Sequence, residues 1–167
     1  MRTVSTNFRA AAYAQNTDEV PVLLVTMDHV NLTAPIRVST DNADTFDFED
    51  ETVRGTVSVG DEFVYYPMQI VLPDDSENSV PSASLTIDNT DLRIMREIRQ
   101  MTDSPTIKMQ VVLASSPDTI EAGFENFKFD TIDADALTIN GKLSLDHFYK
   151  EPFPGTSMLP SNFPGIF

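Results

Sequence analysis

Cysteine and tryptophan are absent from this 167-residue sequence, histidine occurs twice, and Lys+Arg number 11 against 26 Asp+Glu. The lack of cysteine excludes disulfides, thiolate metal sites and a cysteine nucleophile, and His29 with His147 cannot build a histidine-rich metal centre. The shortage of cations leaves a formal net charge of −15. A nucleic-acid reader needs cations to replace phosphate counterions, so direct sequence-specific binding of DNA or RNA is not expected. The same charge argues against electrostatic anchoring on an anionic membrane. No apolar run is long enough for a spanning helix, and no signal core follows Arg2, so the chain is expected to fold in the cytoplasm where it is made, without a membrane anchor. No nucleophile with a neighbouring base and no phosphate-cradling loop can be read, so neither an enzymatic role nor a cofactor is expected. A missing tryptophan weakens a sugar-stacking role but leaves Tyr65 and Tyr66 available.

What is present suits one ordinary globular domain: 41% hydrophobic residues and a length that buries roughly 70% of the unfolded surface. Val59 to Asn89 supplies the clearest pattern. Phe63, Tyr65, Ile70 and Leu72 precede a Pro73-Asp74-Asp75 turn signal. After it, Ala83, Leu85 and Ile87 alternate with Ser82, Ser84, Thr86 and Asp88, the period of a strand with one dry and one wet face. This stretch reads as a core hairpin with a surface connection.

Ahead of it, Ser5 to Gln15 predicts a short helix capped by Ser5, with Phe8, Ala11 and Ala12 on one face. It is too short to stand alone and should dock on the domain or on a neighbouring subunit. Val20 to Met27 is a continuous apolar run and predicts a strand covered on both sides; Ile36 to Val38 predicts a shorter one. Ser39 to Thr52 is strongly acidic and reads as an exposed loop. Phe46 and Phe48 alternate with Asp47 and Glu49, which leaves a short acid-blunted edge strand as the alternative. Asp41, Asp44, Asp47, Glu49 and Asp50 do not have the spacing or central glycine of an EF-hand. Val53 to Val59 predicts a further strand with a bulge at Gly55.

After the hairpin, Thr90 to Met101 predicts an amphipathic helix with Thr90 as cap and Leu92, Ile94, Met95, Ile98 and Met101 as its apolar stripe. Arg93, Arg96 and Arg99 recur every three residues on the other side: a solvated face, or a ridge for an acidic partner surface. Thr106 to Ala114 predicts a strand that Ser115 to Asp118 turns. Phe127 and Phe129 belong to the next, in which Ile132 breaks the phase as a bulge would. Asn140-Gly141 is the strongest turn signal in the chain. A three-residue loop there would pair Leu137 with Leu143 and set Asp135 opposite Leu145. Asp130, Asp133 and Asp135 then crowd one strand, with no cleft signal to make them a carboxylate pair for hydrolysis.

From Tyr149 the composition changes. Pro152, Pro154, Pro160 and Pro164 forbid regular structure, while Phe153, Met158, Phe163, Ile166 and Phe167 are too apolar for a free tail. The organisation is thus a β-rich domain over residues 1–148 and an extended arm over 149–167, folded back on its own domain or gripping a neighbour.

The helix at the N-terminus, VLLVTMDH, YYPMQIVLPDDSENSVPSASLTIDN, VVLASSPDTIEAG and a closing EPFPG with FPGIF resemble a family of short tailed-phage minor tail proteins. The order of elements is similar to the N-terminal domain of the lambda minor tail protein L, a tail-tip hub component. That protein continues into a cysteine-rich iron-sulfur domain; with no cysteine here, no cluster is carried over. The resemblance implies a mainly β fold with minor α+β character: an antiparallel β-sandwich or barrel of the tail-tube and hub type, with a short N-terminal helix, one internal helix at about 90–101 and the C-terminal arm. It implies a structural virion protein at the phage tail tip or baseplate, a homo-oligomeric ring of trimeric or hexameric symmetry around the DNA channel. Its partners would be distal tail, tape measure and central tip or fibre proteins. Phe8, Arg93, Arg96, Arg99, Phe153, Met158, Phe163, Ile166 and Phe167 are the candidates for subunit contacts. Asp44, Asp47, Glu49, Asp50, Asp130, Asp133 and Asp135 are the candidates for an acidic lumen that repels DNA and lets it pass. The competing expectation is a carbohydrate- or receptor-binding β-sandwich at the same tip.

Overall fold

Residues 22 to 25, and Met27 after them, are buried, as a strand with apolar material on both faces must be. They form β1 (Pro21–Asp28), flanked by β2 (Ile36–Ser39) and β8 (Thr106–Leu113). A computed structural model describes residues 4–48, 51–73, 82–88, 92–135 and 137–145, and of the C-terminal stretch residues 155, 159, 161, 162 and 165. The other elements are α1 (Thr6–Tyr13), β3 (Asp44–Phe48), β4 (Glu51–Ser58), β5 (Asp61–Tyr65), β6 (Met68–Val71), β7 (Ser82–Asp88), α2 (Leu92–Gln100), β9 (Ser116–Ala134) and β10 (Thr138–Leu145). The fold is mainly β with two helices, as the sequence implies.

The strands form one mixed sheet in the order β3-β4-β5-β2-β1-β8-β9-β10-β7-β6, antiparallel except where β2 meets β5. The sheet folds on itself because two chain segments turn a corner. Along β9, Ser116 to Lys128 pairs with β8, and Phe127 to Ala134 pairs with β10. Between Phe124, opposite Met109, and Phe127, opposite Ile107, β9 carries two residues against one on β8, and Asn126 takes φ 62°. A bulge with a left-handed residue bends a strand sharply, and asparagine tolerates that conformation. On the other side, β5 pairs with β2 and β6 pairs with β7; between them the Tyr66 amide donates to the Ser39 carbonyl at 3.1 Å. Strands thus pass from one layer to the other at both seams, the way sandwich corners are made.

Leu23, Val25 and Met27 of β1, Ile107 and Met109 of β8, Leu85 and Ile87 of β7, and Leu143 of β10 share one core, to which α2 adds Ile94 and Met95. Each such side chain, fully buried, contributes about 1.5–3 kcal/mol. A smaller cluster, Val22, Leu24, Val112 and Phe63, lies on the opposite face of β1 and β8. Phe63 joins it from the β4–β5 hairpin, a flap bonded at its end to the start of β9. Polar stitches hold the flap down: Ser39 and Thr56 hydroxyls 2.9 Å apart, Ser58 Oγ donating to the Pro117 carbonyl at 2.7 Å, and the Val59 amide donating to Asp118 Oδ1 at 2.6 Å. Buried hydroxyls paired in this way avoid the penalty of unmet hydrogen bonds.

The structure revises several local expectations. Asn140-Gly141 is no turn: both residues lie inside β10, opposite Thr86 and Leu85 on one side and Asp133 and Ile132 on the other. Leu145 accordingly faces Phe127, not Asp135. Phe127 and Phe129 belong to a strand that began at Ser116, and its phase break is real, since β10 steps from Thr131 to Phe129 and leaves Asp130 bulged. The acidic stretch is the edge strand β3, paired with β4 from Asp44 opposite Gly55 to Phe48 opposite Glu51. Gly55 lies in regular register instead of a bulge; its missing Cβ leaves room for the Phe63 carbonyl. Of the central hairpin, β6 pairs with β7 as expected, but Phe63 and Tyr65 belong to β5, and β6 lies at a sheet edge. Its connection at 74–81 and the helix cap at Thr90 and Asp91 lie outside the described residues.

Candidate functional site

Three surfaces gather residues that could bind something. The first is the β3–β4 hairpin. Among the described strands β4 pairs with β5 from Gly55 to Ser58 alone, so beyond Gly55 β3 and β4 form a two-stranded ribbon at the sheet edge. Cross-strand neighbours share a face, which puts Phe46 and Val53 together with Phe48 on one side, and Asp47 with Thr52 on the other. The three apolar side chains are only half-buried. Asp47 accepts the Thr52 hydroxyl at 3.0 Å, and Asp44 accepts the Val57 amide at 3.1 Å. Glu49 and Asp50 lie outside the described residues.

The second is α2. Ile94 and Met95 are buried and Ile98 is half-buried, so the opposite side carries Arg96 and Arg99 into solvent; Arg93 is part of the same helix. Ion pairs among the described residues join Arg37 to Asp61 at 3.0 Å and Lys108 to Glu125 at 3.2 Å, away from Arg96 and Arg99. The third is an open cleft of about 400 Å³ at the β5–β6 seam, lined by Thr40, Tyr65, Gln69, Thr86 and Asp88 among others. Sequence reading could supply Tyr65 but not its neighbours, which come from three separate stretches joined only by the corner.

Phe8 packs, half-buried, against the main core of its own chain. Helix α1 is fixed there by Ser5, whose hydroxyl accepts the Phe8 amide at 3.1 Å and whose amide donates to buried Glu121 at 2.7 Å. Asp130 and Asp133 are exposed at the far end of β9 and Asp135 just past it, away from Asp44 and Asp47 on β3, so the two acidic groups are on different elements. Phe153, Met158, Phe163, Ile166 and Phe167 lie outside the described residues; of that stretch, the Asn162 amide donates to the Leu159 carbonyl at 2.9 Å.

A family profile described as a domain of unknown function, DUF1833, matches residues 7–157. The chain belongs to the DUF1833 family. No curated protein matches it. The DUF1833 match runs through both layers of the sheet, the flap and α2, and includes the start of the C-terminal stretch. Among its described residues, no group of three or more His, Cys, Asp or Glu side chains is placed to hold a metal ion. Neither helix is long and apolar enough to cross a membrane.

Proposed function

We propose that this chain is a structural component of a phage tail tip or baseplate, a hub or distal ring that assembles around the DNA channel and connects the tail tube to tip proteins. The reading starts from the resemblance of its sequence to tailed-phage minor tail proteins. The observation that carries it on the molecule is the β3–β4 ribbon at the sheet edge. An isolated two-stranded ribbon is marginal in water, so one kept on the edge of a well-packed domain suits a surface completed in an assembly. The net charge of −15 supports it further, because an acidic channel wall offers DNA phosphates no cations to bind. Gold-labelled antibody against this chain, imaged on purified particles, tests it: label at the distal end of the tail is expected, and unlabelled particles overturn the proposal.

A second reading rests on the seam cleft. Tyr65 beside Thr40, Gln69, Thr86 and Asp88 combines an aromatic ring with hydroxyl, amide and carboxylate groups, the mixture that suits a polyhydroxylated ligand such as a saccharide. Glycan-array binding that is abolished by Tyr65→Ala would favour it.

A further inference from the structure

We infer that the β6 edge of the sheet is a self-recognition site, at which β6 of one copy pairs antiparallel with β6 of a second copy and Ile70 meets Ile70 across a twofold axis. The contact goes beyond the tail-tip reading and does not depend on it.

The order of the described strands leaves two edges, β3 and β6. An edge strand exposes unpaired amides and carbonyls, and charged side chains are a common way to keep other strands off it. β3 has that protection in Asp44 and Asp47. β6 does not: from Tyr66 to Pro73 the sequence YPMQIVLP holds no charged residue, in a chain of net charge −15. Two such chains repel each other over most approaches, so a neutral strip is where copies meet with least repulsion. Apolar side chains also stay exposed on it, Val71 at 67% and Leu72 at 38%.

The ladder with β7 fixes where β6 points its remaining hydrogen-bonding groups. The Asp88 amide donates to the Pro67 carbonyl at 2.9 Å, one step before Met68 opposite Ile87. Hydrogen-bonded and non-hydrogen-bonded pairs alternate along an antiparallel ladder. Gln69 and Val71 therefore bond inward to Thr86 and Ser84, while Met68 and Ile70 turn their amides and carbonyls outward. Pairing about Ile70 joins outward groups to outward groups: Ile70 to Ile70, and Met68 to Leu72 of the second copy, the next residue in phase.

The side chains match in the same register. Met68 and Ile70, opposite Ile87 and Leu85, pack half-buried against the main core, so the pairing runs the apolar face of one sheet into that of the next. Gln69 of each copy meets Val71 of the other on the outer face, where both are exposed. Pro67 and Pro73 bracket the segment and confine an added strand to residues 68–72, because proline cannot donate to a ladder. The open cleft beside Pro67, Met68 and Gln69 leaves room for it at the start of β6. A twofold contact of this sort uses the same patch on both copies and is complete with two.

The absence of cysteine makes the register directly testable. Directly opposite residues of a non-hydrogen-bonded pair have Cα atoms about 4.5 Å apart, inside the span of about 4.4–6.8 Å that a disulfide bridges. Under mild oxidation, an equimolar mixture of Gln69→Cys and Val71→Cys chains should cross-link several-fold faster than either chain alone, since position 69 faces position 71 and neither faces itself. Sedimentation velocity on the full chain should show a dimer whose fraction rises from about 0.1 M to about 1 M salt, as the screening length falls from about 10 Å to about 3 Å. Gln69→Glu with Val71→Glu sets like charges opposite each other twice and should weaken the dimer at least about tenfold. Circular dichroism confirms that these variants, whose side chains lie outside the core, are folded. A wild type that sediments as a monomer at both salts overturns the contact, as do cross-linking that is no faster in the mixture and a doubly substituted chain that associates like wild type. None of these results bears on label at the tail tip, which tests the other reading by itself.

Discussion

The ring of Phe129 on β9 lies over Gly141 on β10, so close that a Cβ at position 141 would come within 2.7 Å of Phe129 Cδ1. Gly141 has no positive φ, so the glycine is there for space rather than for backbone freedom. Gly141→Ala should therefore destabilise the fold by about 1–3 kcal/mol, the range for overpacking a filled site. Urea denaturation measures it. Combining it with Phe129→Leu should recover part of the loss, since residues in contact are not additive.

Val59 and Gly60 form the two-residue loop between β4 and β5, with φ 52° and 82°. Positive angles at both positions define the hairpin turn in which Asn-Gly is favoured, and a β-branched residue is strained there. Val59→Asn should raise stability by about 1 kcal/mol, because asparagine accepts the left-handed region and keeps the amide bonded to Asp118. The reverse holds at the β9 corner, where Asn126→Val should lower the melting temperature by a similar free energy.

These positions show which parts of the fold a reader of the sequence could reach. β1 is legible because an unbroken apolar run has few other uses, β7 and β8 because their apolar residues alternate with polar ones, and α1 because Ser5 caps it locally. Asn140-Gly141 misleads because the reason for its glycine is a ring twelve residues away in sequence, and local turn statistics cannot register that. The acidic stretch around Asp47 is ambiguous in sequence for a related reason: its charge argues for a loop, while Phe46 and Phe48 argue for a strand, and pairing with Val53 decides. The candidate surfaces follow the same division. The arginine spacing on α2 is visible in the chain, whereas the seam cleft and the ribbon's lack of support exist only after the sheet has folded.

Glu121 is 5% exposed and accepts the amide of Ser5, 116 residues earlier. A charged acceptor at the start of a helix makes a strong hydrogen bond and meets the positive end of the helix dipole. Glu121→Ala should cost about 1–3 kcal/mol. Its distinguishing mark is local: amide hydrogen exchange should accelerate in Thr6–Tyr13 well before it does in β1 or β8, because α1 is too short to persist undocked. Uniform acceleration across the domain would show that Glu121 supports the core instead.

Asp130 and Asp133 at the far end of β9, with Asp135 just past it, and Asp44 and Asp47 on β3 are two separate candidates for the acidic lumen. The two groups then separate experimentally. Changing Asp130, Asp133 and Asp135 together to asparagine should leave tail assembly unchanged and slow genome ejection several-fold, since DNA passing a less negative wall within a screening length is held off less strongly. The same change at Asp44 and Asp47 tests β3 separately. Single-particle fluorescence of DNA release from purified virions reads the rate in each case. Ejection that is unaltered by the β9 substitutions in fully assembled particles would mean that this end of the strand does not face the channel.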